Sequence, residues 1–361
     1  MPREAGSGWA RARAPRSVMN GDAAQRRPTM HDVATLAGVS IKTVSRAING
    51  EPRVAPATVA KVERAVAALG FERNDLARSL RPGHRTHTLG VIVEDLDNPF
   101  FPALIEGVDL VAQEHGYLMI NASTHAESER ERKLVTALLR RRVDGLMLVP
   151  SPSSDHRYIV HADGRVPIVF IDRPGRHMQA DSVVVDNAGG ARQAVAHLLA
   201  QGHRRVAFVG DGGSVESAKA RLASYRRAMA AGAGELDDAL IAACYGLLRD
   251  GEAAHGDAAV RALLKLPKSR RPTAVLTASS PATIGALRAL RGREDAVALV
   301  GFDDLEIGEL MGLTVVRTNP LELGKVAAEL LLERIGGRTD RPQHVVVKTE
   351  LVPRGSGEVA P

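Results

Sequence analysis

The chain has 361 residues, 44% of them hydrophobic, enough for two or three domains with substantial cores. Its charge is uneven: residues 1–87 carry 15 Lys and Arg against 7 Asp and Glu, a net +8, while residues 88–361 carry 33 against 35, a net −2. A basic module on a near-neutral body suits a nucleic-acid partner better than a membrane, and the single cysteine, Cys244, excludes an intrachain disulfide and a Cys-based zinc site.

Residues 1–27 are rich in Arg, Ala and Gly without periodicity and are expected to form a disordered basic arm. They lack the apolar core of a secretion signal, and no run of about 18 apolar residues follows that could span a bilayer, so the expected setting is the cytoplasm. Thr29 and Asp32 have capping-box spacing, so a helix is expected from Met30, with Val33 and Ala37 on one face. Gly38 allows a sharp turn, and Ser40 can cap a second helix from Ile41 to Asn49. Val44, Ala47 and Ile48 point inward there, leaving Ile41, Lys42, Ser45, Arg46 and Asn49 outside. A Lys and an Arg one turn apart beside hydroxyl and amide groups suit phosphates and guanine edges in a major groove. Lys42 and Arg46 are expected to read bases with Ile41 as an apolar contact, and Ser40, Thr43, Ser45 and Asn49 to hold phosphates.

The ungapped run from Asp32 to Arg46, Asp-Val-Ala-Thr-Leu-Ala-Gly-Val-Ser-Ile-Lys-Thr-Val-Ser-Arg, resembles the headpiece of the LacI/GalR (lactose-repressor) family of bacterial transcription regulators. The likeness continues from Pro28 to about Gly355. It implies a ligand-controlled regulator that binds a palindromic operator as a homodimer, with a headpiece, a hinge helix and a sugar-binding-protein-like core.

Val59, Val62, Val66 and Leu69 form a helical stripe ended by Gly70, which would close a three-helix headpiece over residues 28–74. The segment from Asn74 to Arg81, ended by Pro82-Gly83, is too short to be stable alone as a helix, and 75–87 is expected to be hinge helix and linker. Here the resemblance implies a hinge helix that folds on DNA, with Asn74 at its start, Ala77 at the contact with the dimer mate and Leu80 wedged into the minor groove.

From Thr88 apolar strands alternate with helical patterns. Strands are expected at 89–93, 118–122, 145–149, 168–172, 206–210, 274–277 and 297–302, and helices at 102–115, 127–142, 188–201, 219–231 and 281–290. The fold class is therefore α/β, with parallel sheets flanked by helices. About 260 residues exceed one doubly wound unit, so two lobes are expected. The resemblance orders them within a core of 88–355: a first lobe of 88–185 and about 317–345, a second of 186–316, and a tail of 356–361. The ending from Glu350 to Ser356 resembles that of the family, and no leucine heptads follow, which favours a dimer.

Ligands bind beyond the carboxyl ends of parallel strands, where Asp95, Asp97, Asn98, Asn121, Thr124, Ser151, Ser153, Asp172, Arg173, Asp211, Ser214, Ser279, Ser280, Asp303 and Asp304 collect. Such groups suit a polyhydroxylated ligand, and Phe100 beside Phe101 could cover an apolar sugar face. Asp and Ser at strand ends also cap helices, the better reading for Asp97-Asn98-Pro99 and Asp186-Asn187. The resemblance assigns Asp172, Arg221 and Asp303 to the effector, a small sugar or related metabolite. The chain departs from the family at Ser279-Ser280, where an Asn-Asp pair is usual, and at Thr318, where a glutamine is common; Ser279 is retained as a candidate. Gly210-Asp-Gly-Gly-Ser lacks dinucleotide-site spacing, and no triphosphate-binding loop or nucleophile–base pair is visible. No cofactor, metal or enzymatic activity is expected.

Overall fold

The computed structural model describes residues 28–48, 50–52, 54–71, 85–163, 166–211, 213, 216–232, 234–243, 252–292 and 296–361. The arm 1–27, the hinge positions Asn74, Ala77 and Leu80, and Asn49, Ser214 and Cys244 lie outside them. The chain divides into two compact units, 1–82 and 83–361.

The first unit contains α1 (Met30–Ala37), α2 (Ile41–Ile48) and α3 (Pro56–Leu69). The capping box forms as the sequence suggests: the Asp32 carboxylate accepts from Thr29 N–H at 2.7 Å, and Thr29 Oγ1 accepts from Asp32 N–H at 3.4 Å. Gly38 ends α1 in the left-handed region at φ 64°, which glycine enters without strain. Val33, Ala34, Val44, Val62 and Ala65 make the small core, with Ala37, Ala47, Ile48, Val66 and Leu69 packed around it.

The second unit has two six-stranded sheets. The first orders β11 (His344–Val347), β5 (Asp181–Val185), β4 (Ile168–Ile171), β3 (Gly145–Leu148), β1 (Thr88–Val93) and β2 (Leu118–Ser123), all parallel. The second orders β12 (Glu350–Val352), β10 (Thr314–Arg317), β9 (Ala298–Phe302), β8 (Ala274–Thr277), β6 (Val206–Gly210) and β7 (Ile241–Ala243). It departs from the all-parallel expectation at one edge, where β12 runs antiparallel to β10. Only two residues separate β11 from β12, so the chain crosses to the other lobe without room for a crossover helix.

Around the first sheet lie α4 (Phe100–Glu114), α5 (Ser128–Arg140), α6 (Arg157–Asp163) and α11 (Pro320–Ile335); around the second lie α7 (Asn187–Ala200), α8 (Glu216–Ala231), α9 (Glu252–Leu264) and α10 (Ser280–Leu290). Helices α4 and α11 meet through glycines: a Cβ on Gly107 would lie 2.0 Å from the Leu321 carbonyl oxygen, and one on Gly324 2.1 Å from that of Leu104. That approach sets a helix from late in the chain against the first lobe's core of Leu89, Val91, Leu104 and Val108. The backbone passes between lobes at 185–187, 317–320 and 347–350.

The last residues bond to the second lobe. Ser356 O accepts from Leu299 N–H at 2.8 Å, Ser356 Oγ accepts from Thr314 N–H at 2.9 Å, and the Glu358 carboxylate accepts from Thr314 Oγ1 at 2.8 Å. Residues 356–361 are built onto the second lobe, because β9 and β10 present backbone groups that the tail satisfies.

Candidate functional site

In the headpiece, the Ser40 hydroxyl accepts from Thr43 N–H at 3.1 Å and caps α2, and the two hydroxyls share a 2.8 Å bond. Val44 is fully buried, which turns the opposite side of α2 outward: Ile41 is 47% exposed and Lys42 is exposed, with Thr43 and Ser45 half-buried. Arg46 Nε lies 3.5 Å from Glu51 Oε2, with both side chains nearly half exposed. Glu51 is a neighbour that the helical spacing gives no reason to expect, since it lies beyond the end of α2.

In the core, the two candidate acids occupy equivalent places. Asp172 follows β4 and donates its N–H to Val183 O at 2.9 Å; Asp303 follows β9 and donates its N–H to Val316 O at 3.0 Å. Both take left-handed backbone, at φ 68° and 70°, a sparsely populated conformation that Asp tolerates better than most residues and that recurs at functional sites. Both are buried. Burial raises the Asp303 pKa; the Arg221 charge and the Thr318 hydroxyl oppose the rise, and the Asp172 charge adds to it.

Arg221 on α8 is held on three sides. Its Nε donates to Asn187 Oδ1 at 2.7 Å, Nη1 donates to Ala278 O, and Cζ lies 3.8 Å from the centroid of the Phe302 ring. Asn187 in turn donates to Val185 O at 3.2 Å. The cap expected at this crossover is Asp186, whose carboxylate accepts from Gly189 N–H at 2.7 Å; Asn187 instead grips the arginine. Arg173 donates from Nε to Asp172 at 3.1 Å and from Nη2 to Glu94 at 2.7 Å. Burial works against its charge, but Glu94 and Asp172 outweigh it and raise the pKa. Nη1 of Arg173 is buried without a hydrogen-bond partner.

Other expected residues play quieter parts. Ser279 caps α10, accepting from Ala282 N–H at 3.3 Å. Phe100 is 7% exposed and packs edge-on to Phe101 at 5.3 Å, so little of its ring is left for a ligand. The ring beside the charged groups is Phe302. Asp95 and Asn98 accept from nearby backbone N–H groups as turn and cap residues. Glu94 and Phe302 carry no sequence signal of their own, because each acts through a partner remote in the chain; the sequence marks Thr318 only as a departure from the family and Asn187 only as part of a cap.

No helix among the described residues is long and apolar enough to cross a membrane. Residues 29–74 match the model of bacterial regulatory proteins of the lacI family, and residues 195–357 match that of the periplasmic binding protein-like domain. The chain is 37% identical over 348 residues to the HTH-type transcriptional regulator CelR of Thermobifida fusca, covering 92% of this chain and 99% of that one. It is 33% identical to the ribose operon repressor of Escherichia coli K12, covering 91% and 99%. Among solved structures it resembles CelR in complex with cellobiose (TM-score 0.65, 34% identity, 91% and 100% covered). It also resembles the lac repressor dimer bound to operator and the anti-inducer ONPF (TM-score 0.80, 26% identity, 92% and 100% covered). With a capped helix-turn-helix in its first unit and two sheet lobes in its second, the chain belongs to the lacI family of bacterial regulatory proteins.

Proposed function

We propose that the chain is a repressor that binds a palindromic operator as a homodimer and changes its grip on DNA when a small sugar enters the cleft. The observation that carries this reading is the equivalence of Asp172 and Asp303, each buried in left-handed backbone at a strand end of its own lobe, with Arg221 held by Asn187 and the Phe302 ring, in a chain that opens with an exposed Lys42 on a capped second helix. Acids and a guanidinium at strand ends suit hydroxyls, which donate and accept in pairs. The names of two relatives point the same way: one is solved with cellobiose and another is named for ribose.

In this reading Lys42, Arg46 and Ile41 face bases, and Ser40, Thr43, Ser45 and Asn49 hold phosphates. Residues 28–74 are the DNA module and 75–87 the hinge, with Asn74 starting a helix, Ala77 packing on its mate and Leu80 entering the minor groove. Residues 88–355 bind the effector through Asp172, Arg173, Arg221, Asp303 and Ser279, with Phe100 supporting the site from the first lobe's core. The dimer has apolar surface to use: Leu110, Leu118 and Ile120 on the first lobe and Ile307, Leu310 and Met311 on the second are all exposed, Leu310 by 88%. Deleting residues 28–81 should abolish operator binding in a mobility-shift assay and preserve sugar binding by calorimetry. Retained operator binding would defeat the DNA half of the reading, and turnover of a bound sugar would defeat the regulatory half.

A further inference from the structure

Arg173 is a buried cation of the first lobe, and its charge is already answered. Asp172 takes Nε, Glu94 takes Nη2, and the side chain is only 7% exposed. What remains is the donor capacity of Nη1, buried and unpartnered. A buried donor in that state gains most from any acceptor a ligand brings. The acceptor need not be charged. An anion placed there would meet a guanidinium flanked by two carboxylates in a poorly solvated site, where like charges repel more strongly than in water. With Asp172 and Glu94 both on one guanidinium, the group carries no surplus of positive charge to offer a carboxylate or phosphate.

We propose that Glu94 is a specificity-determining residue: by occupying the Nη2 edge of Arg173 it fits the cleft to an uncharged polyol and closes it to the sugar acid or sugar phosphate of the same shape. This rests on the sugar reading above and adds to it the charge class of the effector. Glu94 directly follows β1, and its backbone carbonyl accepts from His125 N–H at 2.7 Å, so its carboxylate is set from a strand end of the same sheet whose β4 leads to Arg173. Without the Glu94 charge the guanidinium keeps one carboxylate neighbour, and an anion can compete for Nη1 and Nη2, the fork that binds carboxylates and phosphates in a bidentate manner.

The test is calorimetry of the full chain and of Glu94→Gln with two matched pairs, cellobiose against cellobionate and ribose against ribonate. In the pair that binds, wild type should prefer the neutral sugar by about tenfold or more, and Glu94→Gln should narrow that ratio to about threefold or reverse it. Equal affinity of wild type for acid and sugar, or an unchanged ratio in Glu94→Gln, overturns the proposal. If neither pair binds wild type, the sugar reading loses its support, and the role of Glu94 is judged with sulfate as the anion probe. Glu94→Gln should then gain sulfate-dependent thermal stabilisation that is absent from wild type and from the double variant with Arg173→Met; no gain over wild type overturns the proposal. Glu94→Ser, uncharged and smaller, replaces the glutamine variant if that one fails to fold.

Discussion

Thr318 donates a 2.7 Å hydrogen bond to the Asp303 carboxylate, which ties a buried acid to the crossover between β10 and α11. Asp303 is held at the end of β9, while Thr318 lies in one of three backbone passages between the lobes. A hydroxyl that reaches Asp303 thus touches a group already bonded to a segment that must bend if the lobes rotate. A ligand shifts such a rotation only through different affinity for the two arrangements, and this bond is a place where that difference can arise.

Thr318→Val removes the donor and keeps the shape. The Asp303 carboxylate then loses a bond that favours its charged form, and ligand affinity should fall by roughly 1–2 kcal/mol. Thr318→Ser should restore most of it. Calorimetry on both variants checks this; a valine variant that binds as tightly as wild type would show that Asp303 does not need the bond.

Arg221 is gripped through its planar geometry, by Asn187 on Nε, by a carbonyl on Nη1 and by the Phe302 face. A lysine keeps the charge and none of these contacts. Arg221→Lys should therefore lose the ligand response almost as fully as Arg221→Ala, with operator affinity retained in both. Mobility shifts with and without effector separate the two properties, and a lysine variant that responds normally would mean that charge alone is used.

The headpiece was legible because its determinants are local: Thr29 with Asp32, the Gly38 turn, the Ser40 cap and the valine stripe of α3 all act within a few residues. The central strands β1, β6 and β9 were legible because both faces are buried, which writes a continuous apolar run. Strands β5, β7, β10 and β11 were not, since three to five residues carry little pattern, and the alanine-rich α9 has a weak stripe. The strand-end rule located Asp172 and Asp303, and family likeness selected them from a dozen polar neighbours. The partners that fix the site are another matter. Glu94 and Arg173 are 79 residues apart, and Asn187 and Arg221 are 34 apart; such pairings are made by sheet topology and leave no spacing to read.

Arg46 rests beside Glu51 at 3.5 Å, so a DNA contact must exchange that carboxylate for a base edge or a phosphate. Arg46→Ala should cost about 1–3 kcal/mol of operator binding and relax discrimination at one base step. Glu51→Gln removes a competing anion and a repulsive charge near the duplex, and should tighten binding to all sequences alike. Competition binding against a set of single-base operator variants distinguishes these outcomes. A uniform loss for Arg46→Ala would make it a phosphate ligand instead.

His203 should give the second lobe a pH-dependent stability. The ring is fully buried, with Nε2 at 2.8 Å from Val359 O and Nδ1 at 2.9 Å from Thr273 Oγ1. A carbonyl can only accept, so Nε2 carries the proton and Nδ1 accepts from the threonine hydroxyl, leaving a neutral ring with both nitrogens engaged. Burial lowers the pKa from its ordinary 6.5, with the Val359 carbonyl opposing. The unfolded chain therefore takes up a proton at a higher pH than the folded one. Stability from this site is full above about pH 6.5 and declines as pH falls through that value toward the folded pKa. Glu131, where burial is outweighed by bonds from His156 and Ser151, loses its contribution only below its ordinary 4.5, outside this window. Thermal melts from pH 8 to pH 5 should show a falling midpoint, and His203→Gln should lower the midpoint at pH 8 while flattening the slope. An unchanged slope in His203→Gln would place the acid sensitivity in another group.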